Sequence, residues 1–394
     1  MATAGPPPGT LTEGTLTGTM SLSVSRRHAW RWLPLLLLLS GCLVTGGPTP
    51  DVLGPSPTPS APPLPPVGGR IAFLTDRDAG RRELWVINPD GSHATRLLPG
   101  RPMDGVPAWS PDGKRIVYVF DDSGKSRLGV VLLNDDNTPG LSATITADAQ
   151  GSDNTFPAWS PDGREIAFAS NRSGNYQIYT MSSVGGPVSS FPSQPAYAGA
   201  PAWSPDGKLI AFVAGADALH AELYMVPAGG GSPTQITNNG RGAALPTWAP
   251  DGKSLLFLLQ SPDGAHKIAE IRPDGTGQRE LTAAPAGVTV PVEDQGQTWS
   301  PDGTQIAFFS DRSRNNDIYV MARDGTQLTA LAPDPAGDVN PSWAPDSSRL
   351  VFSSKRGADV YRLYIVGRDG ANLAPLTQGS DAYDDSFPVW SRVR

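Results

Sequence analysis

Oxygen-bearing side chains gather at Asp104, Asp153, Asn154, Glu293, Asp294, Asp338, Asn340, Asp384 and Asp385, each a few residues ahead of a tryptophan. Carboxylates brought together in a concave ring focus field on a cation or on a basic segment of a partner. Only Arg101 and Arg241 oppose them in the same connections. Histidine chemistry is sparse: His93, His220 and His266 do not recur in register, and they read as surface turn residues rather than metal ligands or general bases. Two further runs, DRDAGRRE (76–83) and DRSRNND (311–317), space oxygen donors closely. Neither completes the D-x-[DN]-x-[DN]-G-x5-E calcium loop, so both read as polar hairpin tips, and Ca2+ is the one metal they leave in view. A formal net charge of −7 argues against a phosphate-tracking surface and hence against nucleic acid.

Cys42 is the only cysteine of the 394 residues, so the chain forms no internal disulfide. It closes the run RRHAWRWLPLLLLLSGC (26–42), a basic start followed by an apolar stretch too short to span a bilayer. The ending LSGC resembles the bacterial lipoprotein lipobox, which implies a signal peptide over 1–41, cleavage before Cys42 and diacylglyceryl transfer to its thiol. The residues before Met20 are polar and unlike the start of a signal peptide, and Met20 reads as the true start. Residues 42–69 are rich in Pro, Gly, Ser and Thr, carry too little apolar surface to fold, and are expected to form a disordered, extended linker.

The residues from Arg70 onwards must position the acidic side chains. Tryptophans at 109, 159, 203, 248, 299, 343 and 390 lie 50, 44, 45, 51, 44 and 47 residues apart, a period suited to one four-stranded propeller blade. WSPDG or a near copy marks six of them as a tight turn, and the next strand recurs as RIAF, RIVY, EIAF, LIAF, SLLF, QIAF and RLVF. The first copy lacks its tryptophan strand, and FPVWSRVR (387–394) can supply it. The expectation is an all-β, seven-bladed propeller over 70–394, built of four-stranded antiparallel blades, its first blade closed by the C-terminal strand. In the variant WAPDS, Ser347 stands where glycine belongs, which predicts left-handed strain and a gain in stability on Ser347→Gly.

The repeat P-x-W-S-P-D-G-x-x-I-A-F, with SDRSRNNDIYVM at 310–321, resembles the propeller repeat of TolB, the periplasmic component of the Tol–Pal envelope system. Similar repeats occur in prolyl oligopeptidase-like peptidases and oligogalacturonate lyases. TolB itself places an α/β domain before six blades, whereas here a proline-rich linker leads into seven. With the lipobox-like ending at Cys42 and the scarcity of catalytic side chains, the expectation is an extracytoplasmic, membrane-anchored lipoprotein, monomeric and non-catalytic. Its acidic channel mouth would dock an envelope protein's peptide segment or a cation. The alternative is a propeller-fold carbohydrate-active enzyme of the oligogalacturonate lyase type, or another extracytoplasmic hydrolase or lyase. The turn motif itself reads as structural, which directs the search for function to the opposite face.

Overall fold

In each repeat, half-buried alternation and β-branched or aromatic residues favour strands, and the Pro-Asp-Gly corners end them. The computed structural model describes residues 67–78, 80–146, 151–379 and 382–392. The signal sequence, Met20, Cys42 and the linker up to residue 66 lie outside the described residues. Seven four-stranded antiparallel sheets result. Blade 6 is typical: Asp294–Trp299 runs along the axis, then Gln305–Ser310, Asp317–Ala322 and the short outer strand Thr329–Ala330. No helix occurs among the described residues. The ring closes as expected, because Asp385–Trp390 pairs antiparallel with Ile71–Thr75 and completes blade 1.

Each second strand buries one large ring completely: Phe73, Tyr118, Phe168, Phe212, Phe257, Phe308 and Phe352. The outer strands are two or three residues long in six blades and six residues long only in blade 2, at Pro139–Thr144. Inner strands touch their neighbours all round the ring, leaving a central channel. They are edge strands of their sheets, so one side of each backbone ladder has no strand partner.

Tryptophan joins the blades through a polar bond as well as packing. The indole Nε1 of Trp159 donates to Ala108 O at 3.0 Å, Trp203 to Ala158 O at 3.1 Å and Trp248 to Ala202 O at 3.1 Å. Trp109 and Trp343 repeat the bond to Val389 O and Thr298 O at 2.9 and 3.3 Å. In each case the acceptor precedes the tryptophan of the neighbouring blade. Two depart from the pattern: Trp390 Nε1 donates to Gly68 O at 3.2 Å, and Trp299 Nε1 is buried without a hydrogen-bond partner among the described residues. Trp203→Phe is therefore expected to cost about 1 kcal/mol more than Trp299→Phe, since only the first breaks a made bond. Equal losses in urea titrations would contradict this.

The SPDG corner is a hydrogen-bonded hairpin. Ser110 Oγ accepts from Arg115 N at 2.9 Å and donates to Asp112 Oδ1 at 2.5 Å, while Gly113 takes φ +64°. Blade 1 forms the same corner from two distant segments: Arg70 N donates to Ser391 Oγ at 2.9 Å and Ser391 N to Arg70 O at 2.8 Å. Ser347 is left-handed, φ +62°, as its place in WAPDS predicts. Its hydroxyl, however, accepts from Asp302 N of the neighbouring turn at 3.0 Å. Relief of about 1 kcal/mol of strain on Ser347→Gly is offset by loss of a bond of similar worth, so a net change below about 1 kcal/mol is expected by chemical denaturation. The clear gain anticipated from the sequence is thereby corrected.

Candidate functional site

At the end of the channel opposite the SPDG corners, the acidic residues are built into the blades. The position five before each tryptophan holds Asp104, Asn154, Ala198, Ala243, Asp294, Asp338 and Asp385. Asn154, Asp294, Asp338 and Asp385 are fully buried, and each meets an arginine from the loop after the second strand. Arg312 donates to Asp294 at 2.6 Å, Arg356 to Asp338 at 2.5 Å, Arg77 to Asp385 at 2.7 Å and Arg172 to Asn154 at 2.8 Å. The guanidinium also bonds the hydroxyl that ends the second strand, as Arg312 Nε does to Ser310 Oγ at 3.0 Å. It lies over two rings, Phe308 and Tyr319, at 5.3 and 4.9 Å. Where the inner position is Ala198 or Ala243, the arginine position holds Ala216 or Ser261, so both partners are absent together; blade 2 departs from the pattern, with Asp104 inside and Asp122 at the arginine position.

A second set clamps neighbouring blades. Asp153 accepts from Ser126 N at 3.0 Å, Glu293 from His266 N at 3.0 Å and Asp384 from Tyr361 N at 2.7 Å, each donor lying in the preceding blade. Each also donates its own N–H to a side chain of its own blade, Asn171, Asp311 and Asp76 respectively, at 2.7 to 2.8 Å. Asp104 accepts from the Ser126 hydroxyl. Asn340 is a left-handed bulge residue, φ +57°, at a position where five other inner strands also turn left-handed. Arg101 stacks on Phe120 at 4.3 Å, and Arg241 bonds Gln260 O at 2.9 Å.

The acidic mouth expected as a docking ring is thus largely internal framework. Four of its nine members have no accessible surface, and the carboxylates of three more accept backbone N–H groups. His266 is likewise not a surface residue: it is 9% exposed, with Nδ1 2.6 Å from Glu293 Oε1. His93 and His220 are exposed, as anticipated. Burial works against the charge on Glu293, yet the bonds from His266 and Gln295 hold its carboxyl below the usual range. Burial, together with the Glu293 and Asp294 charges, pushes Asp311 up. Burial raises Asp338 to about 7 against the opposing pull of Ser354 and Arg356. In the proposed calcium runs, Asp76 accepts from Asp384 N, Asp78 faces Arg96 at 3.6 Å, and Asp317 accepts from Asp334 N at 3.2 Å. No group of three His, Cys, Asp or Glu among the described residues is arranged to hold a metal ion.

Space for a ligand lies at the other end, beside the motif that looked purely structural. A cavity of about 590 Å³ is walled by Trp109, Trp159, Trp203, Trp248 and Trp390 and rimmed by Pro111, Pro161, Pro205 and Pro250. Its floor is Ala108, Ala158, Ala202, Thr247 and Val389, the residues just before those tryptophans. They are small or apolar, and each stays half-buried because its side chain meets the channel. Arg392 is the only ionisable side chain among the lining residues. The sequence signal for this wall was the recurring P-A-W, P-T-W and P-V-W, in which the residue before the tryptophan never carries charge.

A family model described as the TolB beta propeller domain matches residues 140–291 and 267–392. The Tol-Pal system protein TolB of Actinobacillus succinogenes is 39% identical over 61 residues, which is 16% of this chain and 14% of that protein. Among solved structures, TolB from Acinetobacter baumannii aligns with TM-score 0.50 and 21% identity over 79% of each chain. A puromycin-hydrolyzing peptidase of Mycobacterium tuberculosis aligns with TM-score 0.61 and 18% identity, over 80% of this chain and 52% of that one. An oligogalacturonate lyase from Vibrio parahaemolyticus aligns with TM-score 0.55 and 15% identity, over 79% and 87%. These structural likenesses speak to the fold, which serves proteins of different activity. The two matched segments together span more than half of the sequence, and the chain belongs to the TolB β-propeller domain family.

Proposed function

We propose that this protein is a non-catalytic binding module of the cell envelope, held at a membrane through lipid on Cys42, whose channel receives an extended, apolar segment of a partner protein. The observation that carries this reading is the cavity at the SPDG end, where five indoles, six prolines and small side chains are joined by a single ionisable group. Acid–base or metal chemistry needs convergent titratable side chains. Those of this propeller are instead engaged in latches and clamps between strands. The inner strands are sheet edges whose carbonyls beside the tryptophans accept indole N–H groups, and their N–H side, without a strand partner, supplies groups that an extended peptide can meet. The relative named as a Tol-Pal system protein fits a role among envelope proteins.

Selection of displayed peptides on the purified propeller tests the proposal. Binders should be lost when Ala202→Trp fills the cavity and kept when Asp104→Asn and Asp153→Asn neutralise the opposite end. Binders that survive Ala202→Trp but not the neutralised pair would return the function to the acidic face. Release from membranes on Cys42→Ala tests the anchor separately.

A further inference from the structure

Arg392 stands alone in the tryptophan-lined cavity. No carboxylate among the described residues forms an ion pair with it, although most other arginines near carboxylates are paired. Its side chain keeps accessible surface, while desolvation by the surrounding protein depresses its pKa. A guanidinium within a water-filled, protein-walled lumen has both properties. A charge placed among indoles and prolines, with no ion-pair partner among the described residues, favours an anion that can follow it there.

We propose that the cavity captures the free C-terminal carboxylate of a partner polypeptide, with Arg392 holding the carboxylate and the last apolar side chains lying against Trp159, Trp203, Ala158 and Ala202. This rests on the channel's being a peptide site and adds which part of the peptide enters. A polypeptide end suits the cavity better than a fatty acid of the same charge and apolarity. The walls belong to edge strands; the carbonyls of Ala108, Ala158, Ala202 and Val389 already accept indole N–H groups, so what these edges offer is the N–H side that has no strand partner, which the carbonyls of a peptide backbone can meet and an acyl chain cannot. The planar, two-pronged guanidinium also matches a terminal carboxylate in bidentate geometry.

The test uses pools of N-acetylated tetrapeptides of Ala, Val, Leu, Phe and Pro, made as free acids and as carboxamides, with decanoate as the lipid-like probe. Binding is read from tryptophan fluorescence of the intact propeller. The free acids should bind at least tenfold tighter than the carboxamides and than decanoate, and Arg392→Gln should erase the preference for the acids without weakening the carboxamides. Arg392→Gln removes no hydrogen bond or ion pair among the described residues, so an unchanged thermal transition is expected and confirms that the variant is folded. Equal binding of acids and carboxamides, or a preference that survives Arg392→Gln, overturns the proposal while leaving a channel that binds peptides. Binding of decanoate alone overturns the peptide in favour of a lipid. If no probe binds at millimolar concentration, the channel reading falls as well.

Discussion

Deleting residues 385–394 is expected to abolish cooperative folding of the propeller, and a circular permutant that moves this strand to the front should restore it. Asp385–Trp390 is the inner strand of blade 1, and without it Ile71–Thr75 becomes an unpaired apolar edge. The deletion removes Trp390, which is 3% exposed, and the Arg77 latch to Asp385. Loss of a buried tryptophan alone costs about 3–5 kcal/mol, and total stability of a domain is about 5–15 kcal/mol. The rescue follows from the split corner. Ser391 and Arg70 already make the two bonds that Ser110 and Arg115 make, and in the intact hairpin those residues are joined by Pro-Asp-Gly-Lys. Linking Ser391 to Arg70 through the same four residues, with new ends in the exposed turn at Asp263 and Gly264, gives every blade a continuous inner hairpin. Circular dichroism melts should show one cooperative transition for the permutant and none for the deletion. A deletion variant that melts like the parent would refute ring closure by this strand.

Asp338→Ala is expected to destabilise the protein by about 3–5 kcal/mol, because it leaves the Arg356 guanidinium almost buried without its carboxylate. Asp338→Asn should cost less than about 1 kcal/mol, since blade 3 already holds Arg172 with the neutral Asn154. Removing both partners, Asp338→Ala with Arg356→Ala, should recover part of the loss and reproduce the arrangement of blade 4, where Ala198 and Ala216 stand. A double-mutant cycle in urea measures the coupling, and additive losses would contradict a buried pair. The pH dependence has a defined sign. The folded-state pKa of Asp338 is raised, by burial above all, to about 7 from 3.8. Stability linked to this proton is therefore complete below about pH 4 and is lost as the pH rises through 7. The parent should lose stability relative to Asp338→Asn across that interval. A parent that instead gains on Asp338→Asn as the pH rises would show that Arg356 outweighs burial.

The blades were legible because one periodicity carried them. Seven tryptophans at near-regular spacing and seven second-strand motifs count the same units, and the unmatched first strand finds its partner at Asp385–Trp390. Side-chain direction within the connections was not legible. Asp153, Glu293 and Asp384 look like solvent-facing loop acids, and whether a carboxylate meets water or the N–H of the next blade depends on the blade-to-blade docking. One clue was present and needed the structure to be read. An arginine four residues after the buried phenylalanine occurs in the blades with Asp294, Asp338, Asp385 and Asn154, and is missing in those with Ala198 and Ala243. The cavity escaped notice for a different reason. The motif that marks it also builds a hairpin, so explaining WSPDG as a turn concealed that five of the repeat's tryptophan positions wall a space.

The most direct test of the channel as the binding site is the indole Nε1–H spectrum of 15N-tryptophan-labelled propeller during titration with a selected peptide. The account predicts that signals of Trp109, Trp159, Trp203, Trp248 and Trp390 shift together, while Trp85, on the third strand of blade 1, stays in place. Saturable binding that leaves those five signals unmoved would contradict it.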